Sequence, residues 1–203
     1  LAIAVPGLIM MKKLAFVTDD RFNQAASVLP HEIAHQWWPS TVFIEEEDAA
    51  FLSEGMCEYS ALLYSERHGT MTRRDSLSNH PLLRSLLKRI EEGKDLPLQQ
   101  KADLRSLPTH YLKASYVHNM LRRTIGESAF ASLYRLYAER FAGRTATLQD
   151  FLHVAEECSG MRLGWFFDQW VKKRGVPQLR VYAVKSVATE DRWRTHGRIR
   201  LLG

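Results

Sequence analysis

Apolar residues along this chain fall into two rhythms, and the changes between them mark out the elements. Residues 1–18 are rich in Ile, Leu, Val and Phe without a helical repeat, which predicts one or two strands broken around Pro6-Gly7 and Lys12-Lys13. Asp19-Asp20 supplies a cap for a helix over about 22–38. Pro30 lies inside it, removing one hydrogen bond and bending it, and Pro39-Ser40 ends it. Thr41 to Ile44 reads as extended, and the acidic run Glu45-Glu46-Glu47-Asp48 leads into a helix over about 48–67, where carboxylates favour the first turn. Its apolar positions Phe51, Leu52, Cys57, Tyr59, Leu62 and Leu63 fit a buried helix.

After His68-Gly69 the pattern is mainly helical. Leucines at 77, 82, 83, 86 and 87 predict a helix over 73–92, disturbed by Pro81, and the polar stretch 91–108 reads as loop. A helix over 108–125 stops at Gly126, and 127–141 is amphipathic through Phe130, Leu133, Tyr134, Tyr137 and Phe141. Thr147-Leu148-Gln149-Asp150 resembles a capping box for a helix closing at Ser159-Gly160. Another helix follows over 162–174, then a strand over Leu179–Val184 with Arg198–Leu201 as its partner. The expected fold class is therefore α+β, mainly α-helical, with strands at the two ends.

At 203 residues the chain can bury one substantial core, and 45% hydrophobic with 25% charged residues is ordinary globular composition. The net charge of +5 is spread over separate clusters (Arg73-Arg74, Lys88-Arg89, Arg122-Arg123, Lys172-Lys173-Arg174). These read as solvated helix faces and not as the continuous stripe that nucleic acid requires, so no nucleic-acid partner is expected. No apolar run reaches membrane-spanning length. Leu1 to Met11 lacks a basic leader and is interrupted by Pro6-Gly7, so it makes a poor signal peptide. Cys57 and Cys158 lack metal or redox spacing; Cys57 reads as a small hydrophobe.

Candidate chemistry gathers in one place. His31 and His35 stand four apart on the predicted helix, so both imidazoles leave one face and can close on one tetrahedral zinc ion. Glu32, between them, points aside, where it can reach a metal-bound water instead of the metal. An isolated HExxH also arises by chance on amphipathic helices. Here the flanks Ile33, Ala34, Trp37 and Trp38 are apolar, and Glu54 sits in an apolar run where a carboxylate is costly without a partner. Glu54 thus completes a His, His, Glu set that leaves one zinc position open. Glu58, one turn further on, is either the partner of a ligand histidine's far nitrogen or a surface carboxylate. Tyr111 and Tyr116 read by position as helix aromatics, His110 and His118 as packed or exposed, and Trp37 and Trp38 as core.

HEIAHQWWPS at His31–Ser40 followed by LSEGMCEY at Leu52–Tyr59 resembles the zinc peptidases of the aminopeptidase N family, gluzincins with HExxH, an eighteen-residue gap and a glutamate; residues 36–53 supply that gap. Tyr111-Leu112-Lys113-Ala114-Ser115 resembles the family's Tyr-Glu-Lys-Gly-Ala. Trp165–Trp170 and Gly175-Val176-Pro177 resemble its exit from a helical lobe into a β domain. The resemblance implies a thermolysin-like catalytic domain over 1–176 and the start of a β domain over 177–203. It implies a Zn2+ cofactor on His31, His35 and Glu54, Glu32 as base and then acid, Tyr111 as stabiliser of the tetrahedral intermediate, and a peptide or protein substrate. Two positions depart from the family. Aligning Gly7-Leu8-Ile9 with its Gly-Leu-Ile strand places Ala4 where Gly-Ala-Met-Glu-Asn has its amine-binding glutamate, and Ala114 stands in place of glycine. An aminopeptidase is implied. An oligopeptidase or endopeptidase without N-terminal recognition, and a non-catalytic binding module of the same fold, are the alternatives.

Overall fold

Pro6 and Gly7 turn the N-terminal apolar run back on itself: β1 (Ala2–Val5) pairs antiparallel with β2 (Leu8–Met11), Ala4 opposite Ile9. In this computed structural model residues 2–12, 24–68, 80, 82–103 and 106–202 are described. The Asp19-Asp20 cap, residues 22–23 and much of the first half of the helix expected over 73–92 lie outside them. Helix α1 (Gln24–Ala34) contains Pro30 and ends four residues earlier than the apolar pattern suggests. Pro39 has no N–H to extend the ladder, and the chain unwinds through turns in which Thr41 and Val42 both donate to the Trp37 carbonyl. It then enters β3 (Phe43–Ile44), which pairs in parallel with β4 (Thr145–Ala146).

The helix expected over 48–67 is built in pieces. A 3-10 turn (Glu46–Asp48) precedes a π-helical turn (Ala50–Gly55), and α2 (Met56–Arg67) follows without a break. The same happens over 108–125, where a second π turn (Pro108–Lys113) runs straight into α4 (Ala114–Ile125). Between them lies α3 (Leu83–Glu91). Gly126, at φ 88°, separates α4 from α5 (Glu127–Phe141). Helix α6 (Leu148–Ser159) starts at the expected capping box, with the Thr147 hydroxyl accepting from Asp150 N and the Asp150 carboxylate accepting from Thr147 N. Helix α7 spans only Gly164–Trp170, and the Val171 carbonyl just past its end accepts from the N–H groups of Leu98 and Gln99. Strands β5 (Gln178–Ala188) and β6 (Trp193–Leu202) form a longer antiparallel hairpin than the pattern gave, with an irregularity between Tyr182 and Lys185. The fold is α+β and mainly helical, as expected.

The core sits among α2, α4, α5, α6 and α7 and is strongly aromatic: Phe51, Tyr59, Tyr137, Phe151, Phe166 and Phe167 are essentially inaccessible. Buried polar groups in it are paired where they join elements. Asp48 accepts from Leu148 N at 2.7 Å and from Gln99 Nε2 at 3.1 Å, linking the acidic approach to the start of α6. Lys113 donates to Asp95 at 2.6 Å in a fully buried pair, and the same carboxylate oxygen accepts from Gly175 N, tying the second π turn to the approach to β5.

The two π turns touch. A Cβ at Gly55 would lie 2.6 Å from Ala114 Cβ and 3.2 Å from the Ala50 carbonyl, so glycine is what lets these backbones meet. His118 holds the junction. Its ring stacks on Phe51 at 4.1 Å, Nε2–H donates to the Phe51 carbonyl at 3.1 Å, and Nδ1 accepts from the Tyr134 hydroxyl at 3.1 Å. That neutral tautomer satisfies both nitrogens.

Burial pushes His118 down from 6.5 to about 4, against the Phe51 hydrogen bond. The unfolded chain therefore takes up this proton first as pH falls, and stability present above 6.5 is lost between 6.5 and about 4. The loss amounts to about 3 kcal/mol at most. Denaturant titrations of wild type and His118→Gln at pH 7 and pH 4 are expected to show the smaller pH loss in the variant; equal losses would contradict this account.

Candidate metal centre

The last turn of α1 presents His31, and the turn that continues it presents His35 on the same side, their ring centroids 4.9 Å apart. Glu54 comes from the first π turn. An i→i+5 turn carries an extra residue relative to an α turn, so side chains there leave the 3.6-residue rhythm of the helix that follows. Ala50, Phe51, Leu52, Ser53 and Gly55 are buried around it, and the Glu54 carboxylate faces α1. Glu54 Oε2 lies 3.3 Å from His31 Nε2 and 3.6 Å from His35 Nε2. One donor atom from each of the three residues falls within 4.8 Å of the others, the set of this kind found among the described residues.

The far nitrogens fix which lone pairs are free. His31 Nδ1–H donates to Glu58 Oε2 at 2.9 Å. His35 Nδ1–H donates to the Trp38 carbonyl at 2.7 Å, with the Cys57 sulfur 3.1 Å away. Both Nε2 atoms are thereby left as acceptors. Yet His31 Nε2 and Glu54 Oε2 are buried with no hydrogen-bond partner. Two lone pairs facing each other in a dry site repel unless a proton or a cation sits between them. Donor atoms 2.0–2.1 Å from a tetrahedrally bound ion lie about 3.3–3.4 Å apart, close to the separations found. These three side chains fit a divalent metal ion.

The local field has the same sign. Burial opposes a charge on His31, but the Glu54 and Glu58 carboxylates overcome it and raise the imidazole to about 9. Burial likewise opposes the charge on Glu54, and the two histidines hold it well below the usual carboxylate range. Glu58, despite burial, is held down to about 2 by His31 and by His80, whose Nε2 lies 3.1 Å from Glu58 Oε1. Of the two readings left open for Glu58, the geometry selects the hydrogen-bond partner of His31's far nitrogen.

Glu32 is buried on α1 between the two histidines. The Tyr111 ring stacks on His31 with centroids 5.0 Å apart and planes within 4°. Burial first, then the Glu54 charge, hold its phenol far above its ordinary range, so it stays a proton donor. The second π turn delivers it. Tyr116 instead packs against the core. His110 is engaged by Gln100 at 3.1 Å and by Asp103 N at 3.1 Å, and His118 belongs to the core. Trp38 is buried as expected, whereas Trp37 is half exposed. Cys57 is buried among hydrophobes, its sulfur beside His35 Nδ1 and its thiol donating to the Trp38 carbonyl at 3.1 Å.

Two residues escaped the sequence reading. Gln36, next to His35, donates to the Val5 carbonyl at 3.0 Å and accepts from Gly7 N at 2.7 Å. This staples the β1–β2 turn to the end of α1. Its position beside the motif was the available signal. Ala4 sits half-buried on β1 opposite Ile9, and it brings no carboxylate there. His80 had no spacing signal at all, since it meets Glu58 only through the fold.

Comparison with known proteins gives a consistent result. The Peptidase family M1 domain matches residues 2–170. Aminopeptidase M1-A of Oryza sativa subsp. japonica is 25% identical over 195 residues, covering 86% of this chain and 21% of that protein. Aminopeptidase N of Lactococcus lactis subsp. lactis is 25% identical over 186 residues, covering 84% and 22%. The crystal structure of an M1 zinc metallopeptidase from Deinococcus radiodurans superposes with a TM-score of 0.66 at 23% identity, covering 88% of this chain and 38% of that one. The chain spans about a fifth of the length of the curated relatives it matches. With a family match over most of its length and a likeness in fold to a solved member, this chain belongs to peptidase family M1.

Proposed function

We propose that this chain is the catalytic region of a zinc metallopeptidase that hydrolyses peptide bonds, with His31, His35 and Glu54 as metal ligands. The observation that carries the reading is the pair of buried, partnerless acceptors on His31 Nε2 and Glu54 Oε2, set at the separation of two ligands on one ion. Zinc bound there supplies Lewis acidity, polarising a carbonyl and lowering the pKa of water from about 15.7 to about 7. Glu32, buried beside the histidines, takes a proton from water and returns it to the leaving amine. Tyr111, kept protonated, donates to the oxygen on which negative charge develops. Glu58 and the Trp38 carbonyl hold the ligand tautomers, and Gln36 holds the hairpin beside them. Residues 177–203 open a further β domain, in keeping with the exposed faces of β5 and β6.

Its relatives are called aminopeptidases, and aminopeptidase action is the leading substrate reading. Ala4 favours a second one. A half-buried methyl offers no charge to a substrate's α-ammonium, which leaves an oligopeptidase or endopeptidase as the alternative. A non-catalytic module is disfavoured by the intact set of ligands together with Glu32.

Glu32→Gln is expected to keep one zinc per chain by metal analysis while turnover falls by roughly 10²–10⁴-fold. Zinc at full occupancy in a wild-type polypeptide that cleaves no peptide would favour the binding module. Tyr111→Phe is expected to lose about a hundredfold in kcat with little change in KM, measured on one peptide series. Turnover of a peptide with a free amino terminus, compared with its acetylated form, separates the substrate readings. Aminopeptidase action requires strong preference for the free form, and equal rates assign the oligopeptidase.

A further inference from the structure

We infer that His80 is a positioning residue for the metal centre, acting on His31 through the Glu58 carboxylate; the inference rests on the zinc reading above. Glu58 is shared by two imidazoles, Oε2 with His31 Nδ1 at 2.9 Å and Oε1 with His80 Nε2 at 3.1 Å. The direction of the second bond is fixed by a third. Leu82 N donates to His80 Nδ1 at 3.1 Å, so that nitrogen is an acceptor and the proton of the neutral ring sits on Nε2, aimed at Glu58. The chain of donors therefore runs from a backbone amide at the start of α3, through His80, to a carboxylate that also receives the His31 proton.

The physical consequence is orientation. A carboxylate held through one oxygen can swing about its terminal bond, which is a soft torsion. Held through both oxygens, it keeps Oε2 on His31 Nδ1 and so keeps Nε2 turned toward the Glu54 carboxylate. Both bonds to Glu58 have an ionised acceptor and are the stronger for it. His80 is itself largely shielded, with 17% of its side chain exposed, so water does not readily replace it. The residues near the start of α3 thus belong to the metal centre, although no spacing in the sequence connects them to it.

Partners of metal-bound histidines typically contribute 10–100-fold to metal affinity, and a residue one bond further out falls at the lower end, about tenfold. The test is zinc affinity by competition with a chromophoric chelator, measured on the intact polypeptide as wild type, His80→Leu, His80→Gln, Glu58→Gln and the His80→Leu, Glu58→Gln double variant, with Tm of each metal-free protein. The expected results are about tenfold weaker zinc binding in His80→Leu, recovery of most of it in His80→Gln, whose amide can donate to Glu58, and no further loss on adding His80→Leu to Glu58→Gln. Wild-type affinity in folded His80→Leu, or a double variant with additive losses, would overturn the assignment. Should His80→Leu fail to fold, a His80→Gln variant that binds zinc as weakly as Glu58→Gln would overturn it alone. A wild type that holds no zinc would instead sink the function proposed above, which keeps the two failures apart.

Discussion

His31 Nε2 and Glu54 Oε2 face each other 3.3 Å apart, both buried, and with His31 neutral neither is offered a hydrogen bond. An arrangement like this is unfavourable in an apolar interior unless something positive completes it, and much of the surrounding structure serves to maintain it. The Trp38 carbonyl and Glu58 occupy the opposite nitrogens of the two rings, so neither can turn its N–H inward. The Tyr111 ring lies flat on His31 and limits its tilt. Burial, and after it the Glu54, Glu58 and Glu32 carboxylates, keep the Tyr111 phenol protonated.

The backbone solves the placement problem in the same way twice. Glu54 and Tyr111 each stand on a π turn at the head of a longer α-helix, and those turns pack directly on one another. Wider turns of this kind hydrogen-bond less favourably than α turns and occur in short pieces, often at functional sites. Here the core stabilises them. Phe51 is stacked on His118 and packed edge-on to Phe151 and Phe167, and the Ala50 amide is pinned by the Gln100 carbonyl. The site borrows its geometry from an aromatic core that takes no part in the chemistry.

Much of this was legible in the amino-acid order, and what was not has physical reasons. His31, Glu32 and His35 could be placed because one helical turn fixes their relation, and the Thr147–Asp150 cap because a capping box is a local contact. Helix α5 was found because its amphipathic stripe is uninterrupted. The π turns were invisible, since segments buried nearly all round, apolar in the first and mixed in the second, carry no periodicity to betray an extra residue per turn. Helix α7 is shorter than its apolar run, and the Val171 carbonyl beyond it pairs with residues 98 and 99, a tertiary contact that no window of sequence contains. Glu58 remained ambiguous until its two imidazole partners, each more than twenty positions away, could be seen.

The contact between Gly55 and Ala114 has a bearing on how this centre can change. The two positions share room for a single methyl, and in this chain position 114 holds it. Neither site is free to vary alone: a side chain at 55 demands that 114 shrink, and a larger one at 114 has only backbone to push against. The first neighbours Glu54 and the second lies three residues past Tyr111, so bulk added at either presses on the π turns that carry those two side chains, and at 55 on the Ala50 carbonyl and His118 as well. The approach of the turns bearing Glu54 and Tyr111 is thus limited by a steric contact between Gly55 and Ala114.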